Sequence, residues 1–380
     1  MRRSRQSFDV LFFAPSLGPV AVPQRYPEGS AGGGAETQIW AIAKGLAARG
    51  ISVGILIRNP PSSPPELVSG VRLITAPGGT SGRLGAYAAH VRTLARLILG
   101  LKAKLMVQRA AGPDTALVAA AAAATGRQFV YSSAHVVDFD YGAFEPRSRR
   151  VRLFEWGVRR ASEIVVQTQE QSELCERRFG RPGRVIRSIA EEAPPRAGDP
   201  RAFLWMGRLD SWKNPHAYLD LARSLPDARF QMVVRQSTDP ELAEAVRREA
   251  SAIPNLELLP SRPRDRALEL LDEAVAVVST SDYEGMPNVF LEGWARGIPA
   301  LALRHDPDSV IARYGLGAFA GGDPGQLTEL ARTLWARRED QRDVAVRCRD
   351  YVLGEHSLKR AVDAWEAMVI AAGTTSGVRP

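Results

Sequence analysis

Apolar runs of strand length alternate with amphipathic or alanine-rich segments of helical length along almost the whole chain. In the first half the runs are "FDVLFFAP", "SVGILIRN", "VRLITAP", "LMVQRA", "QFVYSSAH" and "EIVVQT"; the second half restarts with "RAFLWMG", "ARFQMVVR", "LELLP", "AVAVVST", "PALAL" and "GAFAG". Each run leads into a helix-like segment, the pattern of βα units with parallel sheets. Between the halves, "EEAPPRAGDP" at residues 191–200 has three prolines and no periodicity, a composition that suits a linker. A chain of 380 residues exceeds what one core usually organises. The pattern therefore predicts an α/β protein of two Rossmann-like domains facing across a cleft, at 8–192 and 200–355. An amphipathic helix at 356–372 is expected to pack back on the first domain.

Composition changes this picture little: 45% apolar and 24% charged residues are ordinary for a globular protein. Cys175 and Cys348 lie far apart without metal-ligand or redox spacing, which excludes a disulfide framework and a zinc site and fits a reducing compartment. The opening "MRRSRQSFDVLFFAPSLGPV" has the basic start of an export leader, but "VLFFA" is short, is cut by Pro15 and reads as a first buried strand. No apolar span reaches membrane length, and "TALVAAAAAATG" reads as a buried helix. Charge is more informative. Residues 1–195 hold 26 Lys/Arg against 15 Asp/Glu, a net of +11, while residues 196–380 have a net of −3. Without a nucleic-acid-binding motif or interleaved aromatics, the basic half points to acidic substrates or a weak peripheral contact with an anionic membrane surface, not to nucleic acid. "GRLGAYAAHVRTLARLILGLKAKL", with Arg92 and Arg96 one turn apart and Leu94, Leu97, Ile98 and Leu101 on an apolar side, is the candidate membrane helix, although an ordinary domain helix has the same pattern.

Ligands of parallel sheets collect at the carboxyl ends of the strands, and the unusual motifs stand there. "GGGAE" follows the first strand, "GRLDSWK" the first strand of the second half, and "SDYEGMPNVFLEGWARGIPAL" follows "AVAVVST". Gly207 allows a close turn at a strand end, and Arg208 and Lys213, five apart, suit a diphosphate, one by its planar fork and the other as a point charge. Pro287 fits the first helical position, which aims the amides of Asn288, Val289 and Phe290 at an anion. Carboxylates repel a bare phosphate, so Glu284 and Glu292 suit neutral hydroxyls instead, those of a sugar ring and of a ribose. A surface pair between Glu292 and Arg296, one turn on, is the bland alternative.

The ordered set "GRLDSWK" and "EGMPNVFLEGWARGIPAL", with Glu284 and Glu292 as an E-x7-E element, resembles the donor site of the GT-B, family 4 retaining glycosyltransferases, the glycosyl transferases group 1. "GGGAETQIWAIAKGLAARGISVGIL" is similar to that family's acceptor-domain opening. The resemblance implies a GT-B fold and transfer of a sugar from a nucleotide diphosphate sugar to a hydroxyl acceptor, as in polysaccharide biosynthesis. With the reducing compartment and the basic first half, this gives a cytoplasmic enzyme that can sit at the inner face of the membrane, and cations standing where a metal would be make it metal-independent, with no cofactor beyond the co-substrate. The resemblance assigns Arg208, Lys213, Glu284 and His135 to catalysis. To donor binding it assigns Gly33, Gly34, Gly207, Gly285, Met286, Pro287, Asn288, Val289 and Glu292, with Pro260, Ser261 and Arg262 as a base-side loop.

This chain departs from the family at "MVVRQSTDP" and "IRSIAEE", where Gly-rich and "PNG"-like turns are usual, which leaves base contacts and the interdomain pivot least defined. "DFD", Asp138 to Asp140, reads as the D-x-D metal motif of the other large glycosyltransferase fold, and those aspartates can equally line an acceptor cleft. "GGGAE" lacks the spacing of a dinucleotide fingerprint. Two rivals stay open: a GT-B-type nucleotide-sugar epimerase, and a catalytically silent nucleotide-sugar binding protein. Sugar, base, acceptor and oligomeric state are not specified by the motifs.

Overall fold

The computed structural model describes residues 7–26, 32–58, 66–76, 84–112, 114–140, 148–235, 237, 239–260 and 264–375, the side chains of 84–90, 235, 264–266 and 375 excepted. The chain divides into two compact units, Met1–Arg187 with Leu358–Pro380, and Ser188–Ser357.

The first unit is built on eight strands: β1 (Ser7–Phe13), β2 (Val53–Arg58), β3 (Leu67–Val68), β4 (Val71–Ala76), β5 (Lys102–Arg109), β6 (Gln128–Ser132), β7 (Glu163–Val166) and β8 (Arg184–Val185). Their order is β3-β4-β2-β1-β5-β6-β7-β8. All pairs are parallel except β3 with β4, a departure from the all-parallel expectation. "VLFFA" supplies the buried core of β1, in the middle of the sheet, where both faces must be apolar. Sequence order runs outward from β1 to one side and then restarts at β5 on the other, so the β1/β5 boundary is the topological switch point.

Helices cover this sheet. Gly34–Ala48 buries Ile39, Trp40, Ile42 and Leu46. Leu84–Gly100 sends Leu94 and Ile98 into the core, with Leu97 and Leu101 packed against it. That apolar side is spent on the domain and is unavailable to a bilayer; Arg92 and Arg96 remain exposed. The last helix, Leu358–Thr375, packs on Gly34–Ala48 and on β5, with Trp365 buried against Phe12 at a ring-centroid distance of 5.9 Å.

The second unit has six strands, β9 (Ala202–Arg208), β10 (Phe230–Arg235), β11 (Leu256–Leu259), β12 (Ala274–Ser279), β13 (Ala300–Ala302) and β14 (Gly317–Phe319). Their order is β11-β10-β9-β12-β13-β14, all parallel, with the switch point between β9 and β12. "AVAVVS" is buried at every position, as a central strand requires. At Gly317 the backbone has φ +147°, and a Cβ there would meet the carbonyl oxygen of Ala300 at 2.0 Å, so only glycine lets β14 close on β13. The proline-rich 191–200 stretch is held to this unit: Arg196 N–H donates to the Arg296 carbonyl (2.9 Å) and its Nη1 to that of Ala274 (2.8 Å).

Candidate functional site

In the second unit the two motif loops leave β9 and β12, the neighbours that flank the switch point. β9 continues through Gly207 to Arg208, both paired with β10, so Gly207 lies within the strand and not at a turn after it. The turn follows at Ser211–Lys213, and Asn214, in the left-handed region at φ +47°, delivers the chain into the helix Pro215–Ser224. The two loops are stitched together. Trp205 Nε1 donates to Thr280 Oγ1 (3.1 Å), which donates to the Lys213 carbonyl (2.8 Å), and Asp282 N–H donates to the Trp212 carbonyl (2.9 Å).

This stitching brings Lys213 and Glu284 together as an ion pair, which Ser281 Oγ supports by donating to Glu284 Oε1 at 2.8 Å. Both side chains are largely withdrawn from water, at 20% and 9% exposure, so the pair is more than a solvated surface contact. Lys213 Nζ also lies 4.2 Å from the centre of the Trp212 ring, and Trp212 stacks on Tyr283 at 5.6 Å and 11°. Burial beside Asp282 and Glu284 raises the Tyr283 phenol above its ordinary value. Arg208 is different: its side chain is 54% exposed and pairs with the buried Asp210 at 2.8 Å.

Pro287 precedes the helix Asn288–Ala295 as its N-cap and not as its first residue. Phe290 N–H already donates to the Pro287 carbonyl (3.1 Å), so the third of the three amides expected to face an anion is spent within the helix turn. Glu292 is half-buried on this helix, and Arg296 donates to its main-chain carbonyl at 3.1 Å. Met286 is buried in the core of the unit, so its backbone and not its side chain is what a donor can meet. Gly285 is fixed by His305, whose Nε2 donates to the Gly285 carbonyl at 3.0 Å. His305, Trp212 and Tyr283 are not among the residues that the motifs pick out; a histidine two positions after the predicted strand "PALAL" is the signal for the first.

In the first unit Gly33 caps the helix Gly34–Ala48, with extended backbone that any residue adopts, and its carbonyl accepts from Thr37 N–H and Oγ1, both at 3.2 Å. His135 caps the turn Val136–Asp138. Its Nδ1 accepts from Val137 N–H (3.3 Å), which places the ring proton on Nε2. Asp138 Oδ2 accepts from the amides of Ala134 (2.8 Å) and His135 (3.4 Å). Asp138 is thus a buried turn cap and Asp140 is exposed, so the two acids of "DFD" do not share one environment. Ser261 and Arg262 lie outside the described residues.

Comparison with known proteins matches residues 33–187 to the glycosyl transferase 4-like domain and residues 187–345 to glycosyl transferases group 1. Among solved structures, the chain is similar to sucrose-phosphate synthase from Thermosynechococcus elongatus at 17% identity and TM-score 0.73, over 98% of both chains. It is similar to WaaG, a glycosyltransferase involved in lipopolysaccharide biosynthesis, at 17% identity and TM-score 0.69, over 93% of this chain and 99% of that one. It is also similar to an α,α-trehalose-phosphate synthase (UDP-forming) from Burkholderia vietnamiensis, at 14% identity and TM-score 0.67, over 99% and 100%. At such identities the likeness carries the fold, which is GT-B.

Proposed function

The chain belongs to the glycosyl transferases group 1 family, and from that premise we propose that it moves a sugar from a nucleotide diphosphate sugar to a hydroxyl acceptor with retention of anomeric configuration. The observation that carries this reading is the Lys213–Glu284 pair at the carboxyl ends of β9 and β12. An incoming diphosphate exchanges for Glu284 on Lys213, and Arg208, exposed nearby in sequence, adds a second cation. Glu284, released, accepts from hydroxyls of the transferred sugar, while Glu292 takes those of the ribose.

As the bond from the sugar carbon to the diphosphate oxygen breaks, its electron pair leaves on the diphosphate, where Lys213 and Arg208 meet the growing charge. The acceptor oxygen bonds to the same carbon on the same face, and its proton passes to the departing phosphate oxygen. This scheme takes its cations from the protein and needs no metal or cofactor. His135, in the first unit, carries its ring proton on Nε2 and so has a hydrogen bond to donate, which is the property the resemblance asks of it. The acceptor, a glycan, a lipid-linked or a small hydroxyl compound, is assigned to the first unit. Among the described residues no helix is long and apolar enough to cross a membrane. Any membrane contact would be peripheral and electrostatic.

A thermal-shift screen of nucleotide diphosphate sugars, followed by proton NMR of turnover with the best hit, tests the proposal. An anomeric product of the donor's configuration is expected; an inverted product contradicts retention, and an epimerised nucleotide sugar formed without acceptor favours the epimerase.

A further inference from the structure

At the switch point of the first sheet stands a cation that the donor chemistry does not use. Arg109 is the last residue of β5, beside β1, with Ser132 of β6 opposite it in register. Its Nη1 donates to Ser132 Oγ at 3.2 Å. Its Nε and Nη2 are sealed from solvent and, among the described residues, have no hydrogen-bond partner.

Those two nitrogens form one edge of the guanidinium, the fork that matches the two oxygens of a carboxylate or phosphate. A buried donor pair on a charged group is costly to leave unmade, and native structures rarely do so without a purpose. Burial lowers the guanidinium from its ordinary range to about 10, while Asp138, Glu36 and Tyr131 oppose that shift, so it stays charged at neutral pH. Neither carboxylate satisfies the fork: Asp138 Oδ2 accepts from main-chain amides, and Glu36, in the first turn of Gly34–Ala48, acts only through its charge. The unit as a whole favours anions, with 29 Lys/Arg against 15 Asp/Glu, a net of +14.

We propose that the Nε–Nη2 edge of Arg109 docks an oxyanion, a phosphate or carboxylate, carried by the sugar acceptor. The acceptor is then an anionic compound, anchored at the β1/β5 switch point by a group other than the hydroxyl that receives the sugar. This rests on the transferase reading for the word acceptor, but not for the anion site itself.

The test titrates inorganic phosphate, and separately acetate, into the full chain carrying Arg208→Ala and Lys213→Ala, which silences the donor site as a competitor. The same titrations follow with Arg109→Lys or Arg109→Met added. Saturable binding in the millimolar range is expected, weakened roughly fivefold by lysine, which keeps the charge but loses the fork, and abolished by methionine. Tighter phosphate than acetate assigns a phosphorylated acceptor, and the reverse a carboxylated one. Arg109→Lys should keep the melting midpoint, so the result stands even if Arg109→Met fails to fold. Absence of saturation by either anion up to about 50 mM, or equal binding in the Arg109→Lys variant, overturns the site. Nucleoside diphosphate binding by the unsubstituted chain is read alongside: its loss counts against the transferase reading, while the Arg109 result stands by itself.

Discussion

Lys213 and Glu284 stand 71 positions apart in sequence and pair side chain to side chain, because the strands that precede them, β9 and β12, are neighbours in the sheet. In the structure the cation assigned to the diphosphate is therefore paired with the carboxylate assigned to the sugar. In the proposed mechanism each neutralises the other until a donor carrying both groups separates them.

Glu284→Gln accordingly leaves nucleoside diphosphate binding intact or tightens it, by about 1 kcal/mol or roughly fivefold, because Lys213 loses its competitor. Turnover of the complete donor falls, since the contact to the moving sugar is lost. Calorimetry beside steady-state rates reads both, and weaker diphosphate binding in this variant contradicts the exchange.

Glu292→Gln behaves oppositely. If its carboxylate accepts from two ribose hydroxyls, replacing charged hydrogen bonds by neutral ones weakens binding of the bare nucleoside diphosphate by about 1–2 kcal/mol. Unchanged affinity would return Glu292 to a helix-surface charge.

Turnover is expected to survive EDTA, because in the proposed mechanism the protein's own cations meet the leaving charge. A strict requirement for a divalent ion would contradict that division of labour and reopen the acids of "DFD".

Cys175 and Cys348 are free and fully buried. Burial raises the Cys175 thiol from its ordinary value near 9 to about 11 and lifts Cys348 further still. Both thiols stay protonated and unreactive toward thiol reagents at pH 8, so labelling should follow unfolding. The folded state holds the Cys175 proton more tightly, so this group's contribution to stability is complete below pH 9 and is lost as pH rises toward 11. Rapid labelling of the native protein at pH 8 would show that these sites open locally.

Peripheral membrane contact, if electrostatic, should appear as sedimentation with anionic vesicles at low salt and vanish above roughly 0.2 M, where screening is strong. Since Leu94 and Ile98 are core residues, binding that persists at high salt would require another apolar surface.

Much of this was visible in the sequence. Every predicted strand run forms a strand, because buried parallel strands need continuous apolar residues. The two-residue strands β3 and β8 were missed, being too short to carry a period. The E-x7-E element and the cations of "GRLDSWK" could be read from their positions at strand ends, but not the contact between Lys213 and Glu284, which depends on β12 returning beside β9. Met286 reads as a donor contact only as part of its motif, whereas its side chain fills the core. Arg109 stood in plain view at the end of "LMVQRA", yet only the register with Ser132 and the sealing of its Nε and Nη2 distinguish it from a surface arginine.

The central claim is that Arg208 and Lys213 take the donor's diphosphate, and its most direct test is calorimetric titration of the best-binding nucleoside diphosphate into the unsubstituted protein and the Arg208→Ala, Lys213→Ala double variant. Each cation should contribute about 1.5–3 kcal/mol as a charge-assisted hydrogen bond, so the double variant is expected to bind at least about a hundredfold more weakly while keeping its fold by circular dichroism. Equal affinity in the two proteins would contradict the account and move the diphosphate elsewhere.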